Sequence, residues 1–146
     1  MKQSGKNKRN GSSFEREVAN YLSIWVYGKK SVIRRHPTSG AEKDYGQGSD
    51  IAVFQPGYEQ FNKFIEVKRG YKSDVINAIK QISEWYAIAK TKNKKDYPIW
   101  IIWKILNKGI LIASTQKFNN IEELFSIHEL HIYDFKELIK IDYNIV

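Results

Sequence analysis

Two short segments in the middle of the chain place acidic and basic side chains among apolar residues. They read Ser49-Asp50-Ile51-Ala52-Val53 and Phe64-Ile65-Glu66-Val67-Lys68. Because side chains alternate along a β-strand, Glu66 and Lys68 should project to one face while their apolar neighbours point to the other face, toward a core. Carboxylates are preferred ligands of hard cations, and a nearby ammonium can stabilise a charged phosphate. The two segments therefore predict a site that holds a divalent cation against a phosphodiester.

The residues between these segments contain a turn signal. The stretch 55–60 includes Pro56 and Gly57, which are residues typical of tight turns. Two β-prone runs separated by such a stretch predict a hairpin. A hairpin here would bring Asp50 beside Glu66.

A third carboxylate lies on an upstream helix. Ser12 to Glu15 matches the S-x-x-E capping box, which predicts a helix that begins at Ser12 or Ser13 and ends near Tyr27, before Gly28. At 100° per residue, Glu15 falls within the apolar arc of this helix. A carboxylate on a buried face is costly unless it is compensated. Glu15 is therefore either bent back into the helix cap or held by a cation.

Together, Glu15, Asp50 and Glu66 are suited to Mg²⁺, with Mn²⁺ as a substitute. Two carboxylates about 4 Å apart repel by roughly 4 kcal/mol at an effective dielectric near 20, so three of them need a cation or bound protons. Lys68 could orient an attacking water or stabilise a pentacovalent phosphate. The corresponding reaction is in-line attack of a metal-activated water on phosphorus. The bland alternative is that Glu66 and Lys68 form an ordinary surface pair.

Charge and composition indicate a polyanionic partner. The 146 residues carry a formal net charge of +8, which attracts nucleic acid. We expect one domain over residues 1–146, in which residues 1–11 form a flexible basic arm whose Lys6, Lys8 and Arg9 contact phosphates. Arg34 and Arg35 lie in a basic strand over residues 31–36, and we expect both to contact DNA. The absence of cysteine excludes disulfides and thiolate metal sites.

No apolar run is long enough to span a membrane, and no signal-peptide pattern opens the chain. We therefore expect a cytoplasmic protein with no membrane partner.

The remaining periodicities predict an α/β fold with a single sheet. A glycine-rich loop over residues 37–48 is expected close to the ligand. A helix over residues 73–90 should cover the sheet. Buried strands are expected at residues 98–106 and 110–113, forming the far half of the sheet. A short helix at residues 121–125, an extended piece at 130–133 and a last helix opened by Asp134 should follow.

These motifs, with Arg35-His36-Pro37-Thr38-Ser39-Gly40, resemble the PD-(D/E)xK nuclease superfamily, above all its archaeal-type Holliday-junction resolvases and related phage endonucleases. The resemblance implies a restriction-endonuclease-like mixed central β-sheet flanked by helices, and a homodimer that cuts branched DNA. It assigns metal binding to Asp50 and Glu66 with the Val67 carbonyl. By the same resemblance Glu15 takes the helix carboxylate role and Lys68 is the catalytic lysine. Arg16, Arg35 and Ser39 match positions that contact substrate or support catalysis, and Ser49 replaces the family's proline.

Two alternatives compete with an endonuclease for branched DNA. The first keeps the chemistry but changes the substrate, to a restriction-like or single-strand-end nuclease. The second is a basic DNA-binding module in which the carboxylates no longer act.

Overall fold

A computed structural model describes residues 2–35, 49–53, 55–59, 61–69, 75–105 and 109–146. Within these ranges, three α-helices, seven β-strands and one 3₁₀-helix follow one another along the chain. In order, they are α1 (Lys2–Tyr27), β1 (Ile33–Arg35), β2 (Ile51–Val53), β3 (Phe64–Arg69), α2 (Val75–Lys92), β4 (Ile99–Ile105), β5 (Gly109–Ser114), β6 (Phe125–Ile127), β7 (Leu130–Asp134), α3 (Phe135–Leu138) and the 3₁₀-helix (Tyr143–Ile145).

The main sheet has five strands in the order β3-β4-β5-β7-β6. Strands β3 and β4 are parallel, and the other neighbours are antiparallel. Strands β1 and β2 form a separate antiparallel pair in which Ile33 faces Val53. A mixed sheet flanked by helices is the restriction-endonuclease-like architecture, so the expected fold class is confirmed.

The two faces of the sheet pack against different helices. Ile65 and Val67 of β3 join a core that includes residues of α1, whereas Phe64 joins a second core with Ile82 and Tyr86 of α2. The expected alternation along β3 is therefore confirmed. Because Glu66 shares the parity of Phe64, it lies on the face that α2 covers, and so the polar face of β3 also takes part in folding.

Strand β4 is buried on both faces, as its apolar composition predicts. Trp100 and Ile102 belong to the core on the α1 side, and Ile101 and Trp103 to the core on the α2 side. All four are at most 1% exposed. The β3–α2–β4 connection is the crossover that a parallel strand pair requires.

The start of α1 differs from the expectation. The helix begins at Lys2 rather than at Ser12 or Ser13, so residues 2–11 continue it and the Ser12-to-Glu15 pattern lies in its interior. Extending an existing helix avoids the cost of nucleation, and half of this stretch consists of lysine, glutamine and arginine, which are good helix formers. The end agrees with the prediction, because the Gly28 amide donates to the Ile24 carbonyl and Gly28 has a φ of +73°.

The predicted hairpin between the two acidic segments is wrong. Strand β2 pairs with β1, and the link to β3 at Asp50 is a single backbone hydrogen bond, in which its amide donates to the Ile65 carbonyl over 2.9 Å. The turn at Pro56 and Gly57 does form, with Gly57 at a φ of +88°. Asp50 still reaches Glu66, as described below, but through side-chain contacts.

The C-terminal part contains one wrong prediction and one unexpected sheet edge. Residues 121–124 are not helical, and residues 125–127 form strand β6. Strands β4 and β5 thus lie in the middle of the sheet, and β7 and β6 form its far edge. The extended piece at 130–133 is confirmed by β7. The last helix is confirmed by the Asp134 carboxylate, which accepts from the Glu137 amide over 3.0 Å.

No helix in the described ranges is both long enough and apolar enough to cross a membrane.

Candidate active site

The site is anchored by a buried serine that joins β2 to β3. The Ser49 side chain, 1% exposed, accepts from the Ile65 amide over 2.8 Å. Its hydroxyl lies 2.9 Å from the carbonyl oxygens of both Ile51 and Ile65, to which it can donate. One side chain thus serves backbone groups on both sides of the gap between the strands, and it fixes the position of the next residue, Asp50.

Asp50 is held against the middle of β3. Its Oδ2 accepts from the Val67 amide over 2.8 Å, and its carboxyl group interacts with that of Glu66. Burial, followed by the Glu66 charge, raises the pKa of Asp50 to about 7, although the Val67 amide and Lys68 oppose the rise. The predicted juxtaposition of Asp50 and Glu66 is therefore present.

Glu66 is a buried carboxylate between two lysines. The residue is 2% exposed. Its Oε2 lies 3.7 Å from Lys68 Nζ and its Oε1 lies 3.9 Å from Lys92 Nζ. Oε1 has no hydrogen-bond partner among the described residues. The interpretation of Glu66 and Lys68 as a solvated surface pair is therefore wrong, because such a pair would not bury its acid.

Glu15 reaches the same region from α1. Its Oε2 accepts from Arg35 Nε over 3.1 Å. Burial, followed by the Asp50 charge, raises the pKa of Glu15, whereas Arg35 and Lys68 lower it. Because Glu15 lies inside α1 and pairs with Arg35, the capping-box alternative is wrong. Of the two options, the structure shows the second, and the cation is the Arg35 guanidinium.

Glu15, Asp50 and Glu66 do not form a single cluster. Within the described parts of the chain, no group of three or more His, Cys, Asp or Glu side chains is arranged to hold a metal ion. The close pair is Asp50 with Glu66, next to the backbone of Val67. The carboxylate oxygens of this pair and the Val67 carbonyl are the kind of donors that Mg²⁺ or Mn²⁺ prefers, and Glu66 Oε1 has no hydrogen-bond partner among the described residues, so the donor set fits such an ion. A metal role for Glu15 stays a prediction.

Three arginines predicted to contact substrate lie around one groove. A cavity of about 280 Å³ between α1 and β1 is lined by Arg16, Arg34 and Arg35, with Asn20 at its wall. It adjoins the catalytic region, because Arg35 is also the partner of Glu15.

The other predicted contact residues cannot be compared. Ser39 and the loop over residues 37–48 lie outside the described residues. Lys6, Lys8 and Arg9 lie in the first turns of α1, but their side chains are also outside them.

Sequence reasoning missed Lys92 and the role of Ser49. Lys92 lies among several lysines near the end of α2, and nothing in that pattern distinguishes it. Lys92 could have been found only from the topology. The helix that connects two parallel strands ends near the start of the second strand, so the C-terminal end of α2 lies close to β3. Ser49 was noted only as a substitute for proline, and its hydrogen bonds depend on tertiary structure.

Comparison with known proteins gives one result. A family model described as "Phage putative PDDEXK endonuclease" matches residues 6–142. No curated protein and no solved structure gives a significant match.

Proposed function

Since the chain belongs to this family of phage PD-(D/E)xK endonucleases, we propose that it is a Mg²⁺-dependent endodeoxyribonuclease that hydrolyses phosphodiester bonds in branched DNA. The observation that carries the proposal is the Asp50–Glu66 pair, in which Glu66 is buried, Asp50 is half-buried, and one Glu66 oxygen has no hydrogen-bond partner among the described residues. Two adjacent carboxylates that are shielded from water destabilise a fold. Their presence beside a lysine is explained by a cation that they bind.

Each nearby residue has a role in the proposed hydrolysis. Asp50 and Glu66 would hold Mg²⁺ together with the Val67 carbonyl, and the bound ion supplies a Lewis acid and an activated water. Lys68 faces the pair and can stabilise the charge that develops on the phosphorus-bound oxygens. Glu15 orients Arg35 at the edge of the arginine groove. Bond breakage leaves a hydroxyl on one product and a phosphate on the other.

The groove lined by Arg16, Arg34 and Arg35 supports DNA as the substrate. Guanidinium groups bind phosphate oxygens in a bidentate manner, and the groove adjoins Glu15 through the Arg35–Glu15 ion pair. Preference for branched DNA, and a homodimer that cuts two strands, rest on the resemblance to junction resolvases. Mn²⁺ should replace Mg²⁺, because both take oxygen ligands.

The test offers a four-way junction, a linear duplex and a single strand to the protein with Mg²⁺, with Mn²⁺ or with EDTA. We expect the protein to cleave the junction at symmetric positions, with Mg²⁺ or Mn²⁺ but not with EDTA. Asp50→Asn and Lys68→Ala should each abolish cleavage and leave junction binding largely intact. Lys140→Ala is the matched control, because Lys140 is an exposed lysine that pairs with Glu137 rather than with the site.

Other outcomes would replace parts of the proposal. Preferential cleavage of the duplex or of single-strand ends would favour the restriction-like or single-strand-end nuclease. Tight binding without cleavage in either metal would favour a DNA-binding module and reject the enzyme. Affinity should also fall steeply with salt, because phosphate contacts release counterions.

A further inference from the structure

Lys92 is positioned like a member of the site, although no motif includes it. Its Nζ lies 3.9 Å from Glu66 Oε1, the buried oxygen that has no hydrogen-bond partner among the described residues. Its side chain is half exposed, whereas that of Glu66 is 3% exposed. Lys92 therefore extends from solvent at the end of α2 to the carboxylate that would bind the cation.

Basic side chains face the acids of the site. Glu15, Asp50 and Glu66 are the acids, and Arg35, Lys68 and Lys92 are the bases that act on them. A divalent cation at the acidic pair adds two positive charges and repels a neighbouring ammonium. The ammonium at 3.9 Å is held by no hydrogen bond to Glu66, and its half-exposed flexible stem can move.

On the basis of the proposed function, we propose that Lys92 is a second, substrate-contacting lysine, which leaves Glu66 when the divalent cation binds and then contacts a DNA phosphate. In the metal-free protein it compensates the buried carboxylate. In the loaded protein it provides a phosphate contact on the α2 side of the site, whereas the arginine groove lies between α1 and β1. DNA binding and cation binding would thereby be coupled.

The test compares Lys92→Met with Lys95→Met, which removes an exposed lysine from the turn just after α2. Affinity for a labelled four-way junction is measured over a salt series, with EDTA or with Ca²⁺ as an oxygen-seeking probe cation. In EDTA the two variants should bind alike. In Ca²⁺ only Lys92→Met should reduce the slope of log affinity against log salt, by about one. Lys92→Arg should restore the slope.

With Mg²⁺, Lys92→Met should raise the KM for DNA and leave the rate at saturating DNA largely unchanged, because a contact to a bound phosphate is lost equally from the ground state and the transition state. An equal loss of slope in EDTA and in Ca²⁺ would make Lys92 an ordinary surface contact and overturn the proposal. If Lys92→Met left the slope unchanged both in EDTA and in Ca²⁺, Lys92 would be only a counter-ion of Glu66. That result would also overturn the proposal. The Ca²⁺ measurement does not need cleavage. If the unmutated protein did not cleave DNA, the nuclease proposal would be rejected, and the salt slope in Ca²⁺ would still decide the role of Lys92.

Discussion

The two ends of the main sheet are built differently. From β4 to β6, strand pairing is by backbone ladders, and the inward side chains Ile101, Ile112 and Ile132 are fully buried and apolar. At the β3 edge, the contact with residues 49 and 50 depends on side-chain oxygens, and the buried Glu66 lies beside the half-buried Asp50. The first region contributes apolar burial to the fold. Under the proposed function, the second region gives up stability in order to bind a cation.

The largest effect on stability should come from the apolar region of the sheet, β4 to β6. Trp100 is fully buried in β4 and its ring contacts those of Trp25, Phe61 and Phe118. Trp100→Ala should lower the free energy of unfolding by about 3–5 kcal/mol, because it leaves a cavity. Urea denaturation measures this loss. Trp100→Phe is the control, and it should cost less because the Nε1 that it removes has no partner among the described residues.

A loss below about 1 kcal/mol for Trp100→Ala would contradict the assignment of stability to this end of the sheet.

At Asp50, by contrast, a substitution should raise the free energy of unfolding. Because its pKa in the folded protein is raised to about 7 from an ordinary 3.8, the folded state retains a proton that the unfolded state releases. The stability of the metal-free protein should therefore fall as pH rises from about 4 to about 7 and then level off. Asp50→Asn cannot ionise and should avoid this loss, which gives it an advantage of up to about 4 kcal/mol at pH 8.

Thermal denaturation in EDTA at pH 4.5 and pH 8 checks this sign, since the advantage of Asp50→Asn should shrink to about 1 kcal/mol at the lower pH. Addition of Mg²⁺ at pH 8 should stabilise the unmutated protein and leave Asp50→Asn nearly unchanged, because metal binding requires the deprotonated carboxylate. Equal stability of the two proteins at both pH values would show that Asp50 is not penalised in the fold.

The comparison also explains which features could be predicted from the sequence. Alternation and apolar runs report burial, so β3, β4, β7 and the acidic face of β3 were predictable. Pairing partners depend on distant contacts, so the β1–β2 pair was missed although both strands were expected. Strand β6 was missed because it is only three residues long, and the alternation of Phe125-Ser126-Ile127 is too short to distinguish a strand from a loop or a helix end.

The carboxylates and Lys68 could be predicted because their chemistry restricts which residue types can serve, and the strand period fixes their side. Lys92 and Ser49 could not, because lysine and serine are common residues whose roles depend on what the fold brings near them. Glu15 was placed in the right region for a partly wrong reason, since the capping pattern lies inside a helix.

Ser49 should have an intermediate effect on stability. Ser49→Ala removes the acceptor of the Ile65 amide and a donor to the carbonyl oxygens of Ile51 and Ile65. The free energy of unfolding should fall by about 1–3 kcal/mol, because buried backbone groups lose their partner. Mn²⁺ affinity, measured by calorimetry, should fall too, since Asp50 is no longer fixed against β3. Ser49→Thr keeps the hydroxyl and should retain more of both quantities.

If Ser49→Ala were destabilised but bound Mn²⁺ as tightly as the unmutated protein, the serine would have only a folding role.

The smallest effect is expected at the start of α3, far along the sheet from the acids. The Asp134 carboxylate accepts from the Glu137 amide and caps a helix whose Phe135 and Leu138 are buried. Asp134→Ala should lower the free energy of unfolding by about 1 kcal/mol, and Asp134→Ser should recover most of it. Neither change should alter Mn²⁺ affinity or cleavage, because the residue touches only the C-terminal part of the core. If fully folded Asp134→Ala lost Mn²⁺ binding, the two ends of the sheet would be coupled. The apolar strands would then not be independent of the β3 edge.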